Sequence, residues 1–380
     1  PYQTGFNYSI AQNQWVTPQG GNILMPTPDR LVDSAIRGAV STQREIGLDM
    51  KFLKNRFGFS FTYWDGTVND IPLEIPINGA SGYRTNLINA GEISKKGIDV
   101  LLNVTPVRNR NFSWDITATW AKLLENKVVR LAGEIPRIVP PGFAGAFSGS
   151  FAAYTVNAVG QPWGQLFGGG IKRNTNGIPV LTEDGFFVRQ ADVNFGSVLP
   201  DFTGGVQNSI TYKNFYLNFN IDYQQGGKFF SLSDFWGSFS GLTAKTATTN
   251  DKGNPVRDAV SDGGGVRVDG VDEDGKAVTH YVDAQSYFHQ FQGANIAEKS
   301  IYDLTFVKLR EVSLGYRFDL AKMGISKKIS GATFSIIARN PVLIYANTAD
   351  FDPSEISSVY GEDGQMPGTR SIGFNLKLNF

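Results

Sequence analysis

Hydrophobic and polar residues alternate one for one along several stretches of this chain. The last stretch is the clearest: Ile372, Phe374, Leu376, Leu378 and Phe380 share one face, and Gly373, Asn375, Lys377 and Asn379 share the other. A helix would scatter such an apolar set around its axis, so the pattern predicts a β-strand with two unlike faces. Phe215, Leu217, Phe219, Ile221 and Tyr223 repeat it against Tyr216, Asn218, Asn220 and Asp222. Val312, Leu314, Tyr316 and Phe318 oppose Glu311, Ser313, Gly315 and Arg317. Near the start, Ile46, Leu48, Met50 and Phe52 oppose Glu45, Gly47, Asp49 and Lys51, and Phe57, Phe59, Phe61 and Tyr63 follow in the next stretch. Phe112, Trp114, Ile116, Ala118 and Trp120 complete the set. The prediction is an all-β, antiparallel meander.

Alternation alone leaves the solvent open, because a soluble sandwich also has one apolar and one polar face. Two further features favour a membrane barrel. The eight steps from Phe215 to Tyr223 span about 26 Å, or about 20 Å of height at a tilt of about 40°, close to the roughly 25 Å apolar band of an outer-membrane barrel. Tyr63 and Trp64, Trp120, Tyr212, Phe215, Tyr223, Phe318 and Phe380 stand at strand ends, where rings with a polar edge suit the headgroup level. Connection length is the stronger feature. Links through Lys54-Asn55, Pro106 to Arg110 and Lys213-Asn214 are tight, whereas 65–95, 121–202, 224–308 and 341–369 are long. Short and long links are expected to alternate, as when every turn on one side of a membrane is short and every loop on the other is elaborated. Setting the long links and the first 43 residues aside leaves about 110 residues, or roughly nine to eleven strands, nine of which can be placed.

Composition narrows the chemistry. The 380 residues include no cysteine, so a disulfide scaffold, a thiolate metal site and a cysteine nucleophile are excluded. Thirty-five basic residues balance 35 acidic ones, which leaves no electrostatic footprint for nucleic acid. No apolar run is long enough for a membrane-spanning helix. A chain that is 41% hydrophobic and 18% charged fits neither disorder nor a coiled coil. It opens at Pro1 without a basic, apolar leader, so any export signal is expected to have been removed or never included.

A family resemblance lies in the run FVKLREVSLGYRF (Phe306 to Phe318), followed by ARNPVLIY (Ala338 to Tyr345), FDPS (Phe351 to Ser354) and the closing GQMPGTRSIGFNLKLNF. Upstream, NAGEISKKGIDV (Asn89 to Val100) and NFGSVLPDFTGGVQN (Asn194 to Asn208) add to it. In this order, from about Asp29 to Phe380, they resemble the barrel of SusC/RagA-type TonB-dependent outer-membrane transporters. Pro341 departs from the pattern, which more often has leucine, and is expected at a strand's exit. The resemblance implies that residues 1–380 form the C-terminal portion of a transmembrane barrel of 22 strands with long extracellular loops. The N-terminal plug and TonB-box are not recognisable in the chain. Such a half-barrel has two unpaired edges and needs the rest of the barrel. The resemblance also implies active import of a glycan or peptide nutrient across the outer membrane of a Gram-negative, Bacteroidetes-like bacterium. Its implied partners are TonB, acting through the plug, and a SusD-like surface lipoprotein. A structural or secretion-associated barrel and a soluble all-β glycan-binding or hydrolytic protein are the alternatives.

Candidate chemistry is sparse, and no enzyme is expected. His280 and His289 lie nine apart without further metal-ligand spacing, and the nucleophile-elbow, zincin and phosphate-loop motifs are all lacking. In DGVDEDG, Asp269, Asp272 and Asp274 could offer oxygens to Ca²⁺, although the spacing misses the EF-hand and D-G also signals a hairpin turn. NTNGIPVLTEDG (Asn174 to Gly185) reads as two turns around a short strand. The ligand candidates are the loop aromatics Trp163, Phe167, Trp236, Tyr287 and Phe288, whose faces can stack on sugar rings or peptide side chains, or pack the loops together. Ile372, Phe374, Leu376, Leu378 and Phe380 resemble the terminal signal read by the outer-membrane assembly machinery, an edge strand captured by pairing.

Overall fold

The computed structural model describes residues 30–131, 135–139, 153–320, 322–324, 329–348, 351–356, 361–362, 364, 366 and 368–379. Nine antiparallel strands pair in sequence order: β1 (Val40–Phe52), β2 (Phe57–Pro76), β3 (Thr85–Arg108), β4 (Phe112–Leu131), β5 (Phe202–Tyr212), β6 (Phe215–Gln225), β7 (Phe306–Phe318), β8 (Gly331–Ala346) and β9 (Ser371–Asn379). A short segment, Arg30–Val32, adds in parallel to the start of β3. Among the described residues β1 and β9 are the two free edges, so this wall curves without closing.

Register shows that the alternating faces line up across the whole sheet. Ile46, Leu48 and Met50 sit opposite Tyr63, Phe61 and Phe59, and these oppose Ile98, Val100 and Leu102. The row continues through Ala118, Val206, Ile221 and Leu309, and Ile336 pairs with Phe374 at the far end. A one-residue slip would move every one of these side chains to the other face, so the shared apolar flank holds the register. Among the described residues no second layer covers this flank: Ile46 is 70% exposed and Phe374 81%. The bare belt matches hydrocarbon and does not match the core of a soluble sandwich.

Trp64 lies on the opposite flank, and its indole Nε1 donates to Asp99 Oδ2 at 2.9 Å. The ring covers Gly97, its cross-strand partner, and a Cβ at that position would overlap it. Gly97→Val is therefore expected to expel the indole and lower stability by about 1–3 kcal/mol. Thermal unfolding in detergent checks this, with Ser60→Val on the same flank as the control.

Three expectations about the connections change. The link 65–95 is mostly strand, because β2 runs to Pro76 and β3 starts at Thr85. Asp70 (φ 54°) takes up a β-bulge and Pro72 stays in the ladder opposite Asn89. Bulges opposite Lys96 and Glu92 likewise hide the extension of β4 to Leu131. Nor is the sorting of link length strict: 319–330, between β7 and β8, is longer than 77–84 on the opposite side. Finally, Pro341 is not at a strand's exit. It lies within β8 at a bulge, between the pairs Leu309–Val342 and Glu311–Arg339, where no ladder hydrogen bond is asked of its nitrogen. With 24 residues, about 80 Å of extended chain, β3 far overshoots the apolar band and carries the wall outward.

The connections 132–201 and 226–305 fold into one outer domain. The first supplies a four-stranded sheet (Arg137–Ile138, Ala153–Ala158, Gln165–Ile171 and Arg189–Ser197). The second supplies the hairpin Val266–Val271/Ala277–Val282 and helices α1 (Leu232–Phe239) and α2 (Ala284–Gly293). Ala153, Leu166, Ile171 and Val198 from one share a buried core with Phe230, Phe235, Phe291 and Ile296 from the other. The connection 347–370 joins through Gly361–Glu362, which pairs in parallel with Phe230–Ser231. The buried Glu362 carboxylate accepts from the hydroxyls of Ser231 and Ser233 and from the amides of Ser233 and Gly364, at the N-terminal end of α1. Asn174–Gly177 and Thr182–Gly185 form the two expected turns. Among the described residues no helix is long and apolar enough to cross a membrane, which says nothing of a β-barrel.

Candidate functional site

The polar flank of β4 to β7 bounds a cavity of 610 Å³ at the end of the wall that carries the outer domain. Thr119, Gly205, Asp222, Gln224, Phe306 and Arg310 line it from the strands, and Pro353, Ser354 and Ile356 close one side. The strap that supplies these last residues, Phe351–Ile356, is held by charge. Lys308 Nζ donates to Asp352 at 2.7 Å, to Glu355 at 2.6 Å and to the Ser354 hydroxyl at 3.0 Å. The Lys308 side chain is only 3% exposed. Arg310 joins wall to strap, with Nε on Asp222 and Nη1 on Glu355, each at 2.8 Å. The guanidinium also stands over the Phe306 ring, 5.9 Å from its centre.

Local sequence explains the arrangement. A register shift between Leu309 and Glu311 leaves Arg310 without a cross-strand partner in β8, so three charges fall within four positions of β7. Pro353 starts a short 3₁₀ turn that Asp352 caps by accepting from the Ser354 amide. The hydrogen bond from Lys308 holds the Glu355 carboxyl below its usual range, against the opposing effect of burial. Burial works against the Asp352 anion too, but the bonds from Lys308 and Ser354 outweigh it and its pKa is lowered. The motifs FVKLREVSLGYRF and FDPS were both visible in the sequence, but their contact across more than 40 residues was not. The available signal was Lys308, Arg310 and Glu311 crowding an otherwise regular alternation.

The five loop aromatics do not converge. Trp163 lies where the outer domain meets β4, beside a 530 Å³ cavity, with its amide donating to Asn126 O. Phe167 is a half-buried strand residue between Tyr154 and Asn194. Trp236 packs on the shared core, edge-on to Phe235 and Phe239. Tyr287 packs against Phe187 and Phe291, and burial pushes its phenol up. Phe288 lines a separate 540 Å³ cleft.

Nor are the three aspartates gathered. Asp269 accepts from Arg267 and Thr279, and Asp272 accepts from the Lys276 amide in the hairpin turn. Among the described residues no group of three or more acidic or histidine side chains could hold a metal ion. His289 stacks on Phe239, and His280 lies in the hairpin opposite Val268. Ile372, Phe374, Leu376 and Leu378 share the bare flank of β9, while Phe380 lies outside the described residues.

No protein-family model matches the chain. Among curated proteins it is similar to TonB-dependent receptor P26 of Formosa agariphila, 25% identical over 88% of the chain and 34% of the receptor. TonB-dependent receptor P3 of the same organism is 23% identical over 91% of the chain and 34% of that receptor. The chain thus spans about a third of the length of these relatives. Among solved structures, the RagAB peptide importer in its open-open state matches 99% of the chain and 38% of its own, with a TM-score of 0.67 at 18% identity. The RagAB peptide transporter gives 0.66 at 17% identity over 99% of the chain and 39% of its own. With its bare apolar belt and elaborated outer side, the chain has the fold of a portion of a TonB-dependent transporter β-barrel and is similar in sequence to TonB-dependent receptors over most of its length.

Proposed function

We propose that this chain supplies lumen wall and outer loops to a transporter that imports a peptide or oligosaccharide nutrient across the outer membrane of a Bacteroidetes-like bacterium. The observation that carries the reading is the open 610 Å³ cavity on the polar flank, bounded by wall strands and a charged strap. Its lining mixes hydroxyl, amide, carboxylate and guanidinium groups with Pro200, Leu304 and Phe306, as suits an oligomer with polar backbone and apolar faces. Import needs a ligand bound differently in lidded and open states. A SusD-like lipoprotein is the lid in this reading, and TonB drives release through a plug. The likeness to the structures titled RagAB peptide importer and RagAB peptide transporter supports the import reading.

Deletion of the gene in its source organism, with growth on defined peptides and oligosaccharides as sole nutrient, tests the reading. The expected result is loss of growth on one oligomer class, unchanged growth on its monomer, and recovery of a surface lipoprotein with the affinity-tagged transporter. Normal growth on every oligomer, together with defective protein secretion, would establish the secretion-associated barrel instead.

A further inference from the structure

The connection between β6 and β7 contains a cleft that shares no lining residue with the lumenal cavity. It has a volume of 540 Å³ and opens between the C-terminal end of α1 and the N-terminal end of α2. We propose that this cleft is a carbohydrate-binding site on the outer surface of the transporter, taking a neutral sugar ring against Phe288.

Rigidity comes first. The rings of Phe239 and His289 stack 4.0 Å apart at 16°, and the Phe239 carbonyl accepts from His289 Nε2 at 3.1 Å, which joins the two helices at the cleft. Arg257 is pinned at the margin: Nε donates to Thr246 O at 2.8 Å, and Nη2 to Gly241 O at 2.5 Å and to the Thr246 hydroxyl at 2.7 Å. All three acceptors are neutral, and among the described residues Arg257 makes no ion pair. A guanidinium fixed without a counter-charge, its Nη1 uncommitted among the described residues, is a preorganised donor.

The lining then selects the ligand. Among the described residues Asp283 contributes the only carboxylate, one oxygen of which already caps α2 through the Ser286 amide. It offsets the charge of Arg257, so the described lining carries no strong excess of one sign and favours a neutral ligand over a strongly charged one. Gln285 and Ser240 add groups that both donate and accept, as sugar hydroxyls do. Phe288 is half-buried and held edge-on by Tyr287 at 5.0 Å, so an apolar surface stands beside these polar groups. The cleft walls are helix ends and turns, without an open strand edge for an extended peptide. Its volume lies within the roughly 300–1,000 Å³ of small-molecule sites.

The test uses the full-length transporter in detergent. It is probed by calorimetry with neutral oligosaccharides of glucose, galactose, mannose or xylose, with uronic-acid oligosaccharides, and with a tetrapeptide mixture. The variants are Phe288→Ala, Phe288→Tyr, Gln285→Ala and, in an exposed turn outside both cavities, Glu183→Gln. Phe288→Ala is expected to weaken binding of a neutral oligosaccharide by about tenfold or more. Phe288→Tyr should retain it, Gln285→Ala should weaken it, and Glu183→Gln should leave it unchanged; unfolding temperatures identify any variant that fails to fold. The proposal is overturned if no neutral oligosaccharide binds, if only acidic oligosaccharides or peptides bind, or if affinity is unchanged in both Phe288→Ala and Gln285→Ala. Uptake in the Phe288→Ala strain at saturating nutrient separates this site from the import reading, which predicts that transport persists.

Discussion

Lys308→Met is expected to detach Phe351–Ile356 from the lumen wall while the nine strands stay paired. The substitution removes a nearly solvent-free ammonium that serves Asp352, Ser354 and Glu355 at once, leaving two carboxylates without their principal partner. Breaking a buried pair this way costs about 3–5 kcal/mol. Both acids are about a quarter exposed and Arg310 still holds Glu355, so about 2–3 kcal/mol is the expected local loss. Hydrogen exchange should rise in the strap and stay low in β7, and Lys308→Arg should recover part of the protection. Acid should mimic the mutation. Asp352 and Glu355 have folded pKa values below their ordinary 3.8 and 4.5. Their contribution is therefore complete above those values and disappears as pH falls through the lower, folded ones. A wild-type strap that loosens below about pH 4, beside a Lys308→Met strap that responds less over that range because only Arg310 and Ser354 still favour the anions, is the predicted pair of titrations. Equal strap protection in the two proteins at neutral pH would refute the anchoring role.

The second large effect concerns the bare flank. Phe219 lies at the middle of β6 on the apolar belt, between Asn208 and Val312, and Asn218 is its neighbour on the polar flank. Phe219→Arg should cost about 2–4 kcal/mol if that flank meets the hydrocarbon midplane, whereas Asn218→Arg should cost little. The assembled, heat-modifiable fraction in isolated outer membranes measures both. Equal tolerance of the two substitutions would show that the belt does not face lipid.

The legible part of this fold is the part governed by a strict period. Ile46 to Phe52, Phe215 to Tyr223 and Ile372 to Leu378 each declare a strand and its faces, because lipid on one side and water on the other leave no freedom in the alternation. Legibility fails where bulges shift the period. The span 65–95 looked like one long link, and Pro341 like an exit, because single residues cannot reveal that a neighbouring strand tolerates an unpaired position. The site failed for another reason. Lys308 and Asp352 are 44 positions apart, and nothing local in either stretch encodes the other. Loop aromatics advertised chemistry, yet Trp236 and Tyr287 spend their rings on the packing of the outer domain, and only Trp163 and Phe288 among the five line a cavity, each a different one.

That packing has a corollary. Leu166 and Phe291 belong to connections separated by two wall strands, yet they lie in one buried core. Neither connection can be rewritten freely while the other stays fixed. A volume change on one side of that core therefore calls for a compensating change on the other, so the two excursions, with β5 and β6 between them, form a single unit of packing.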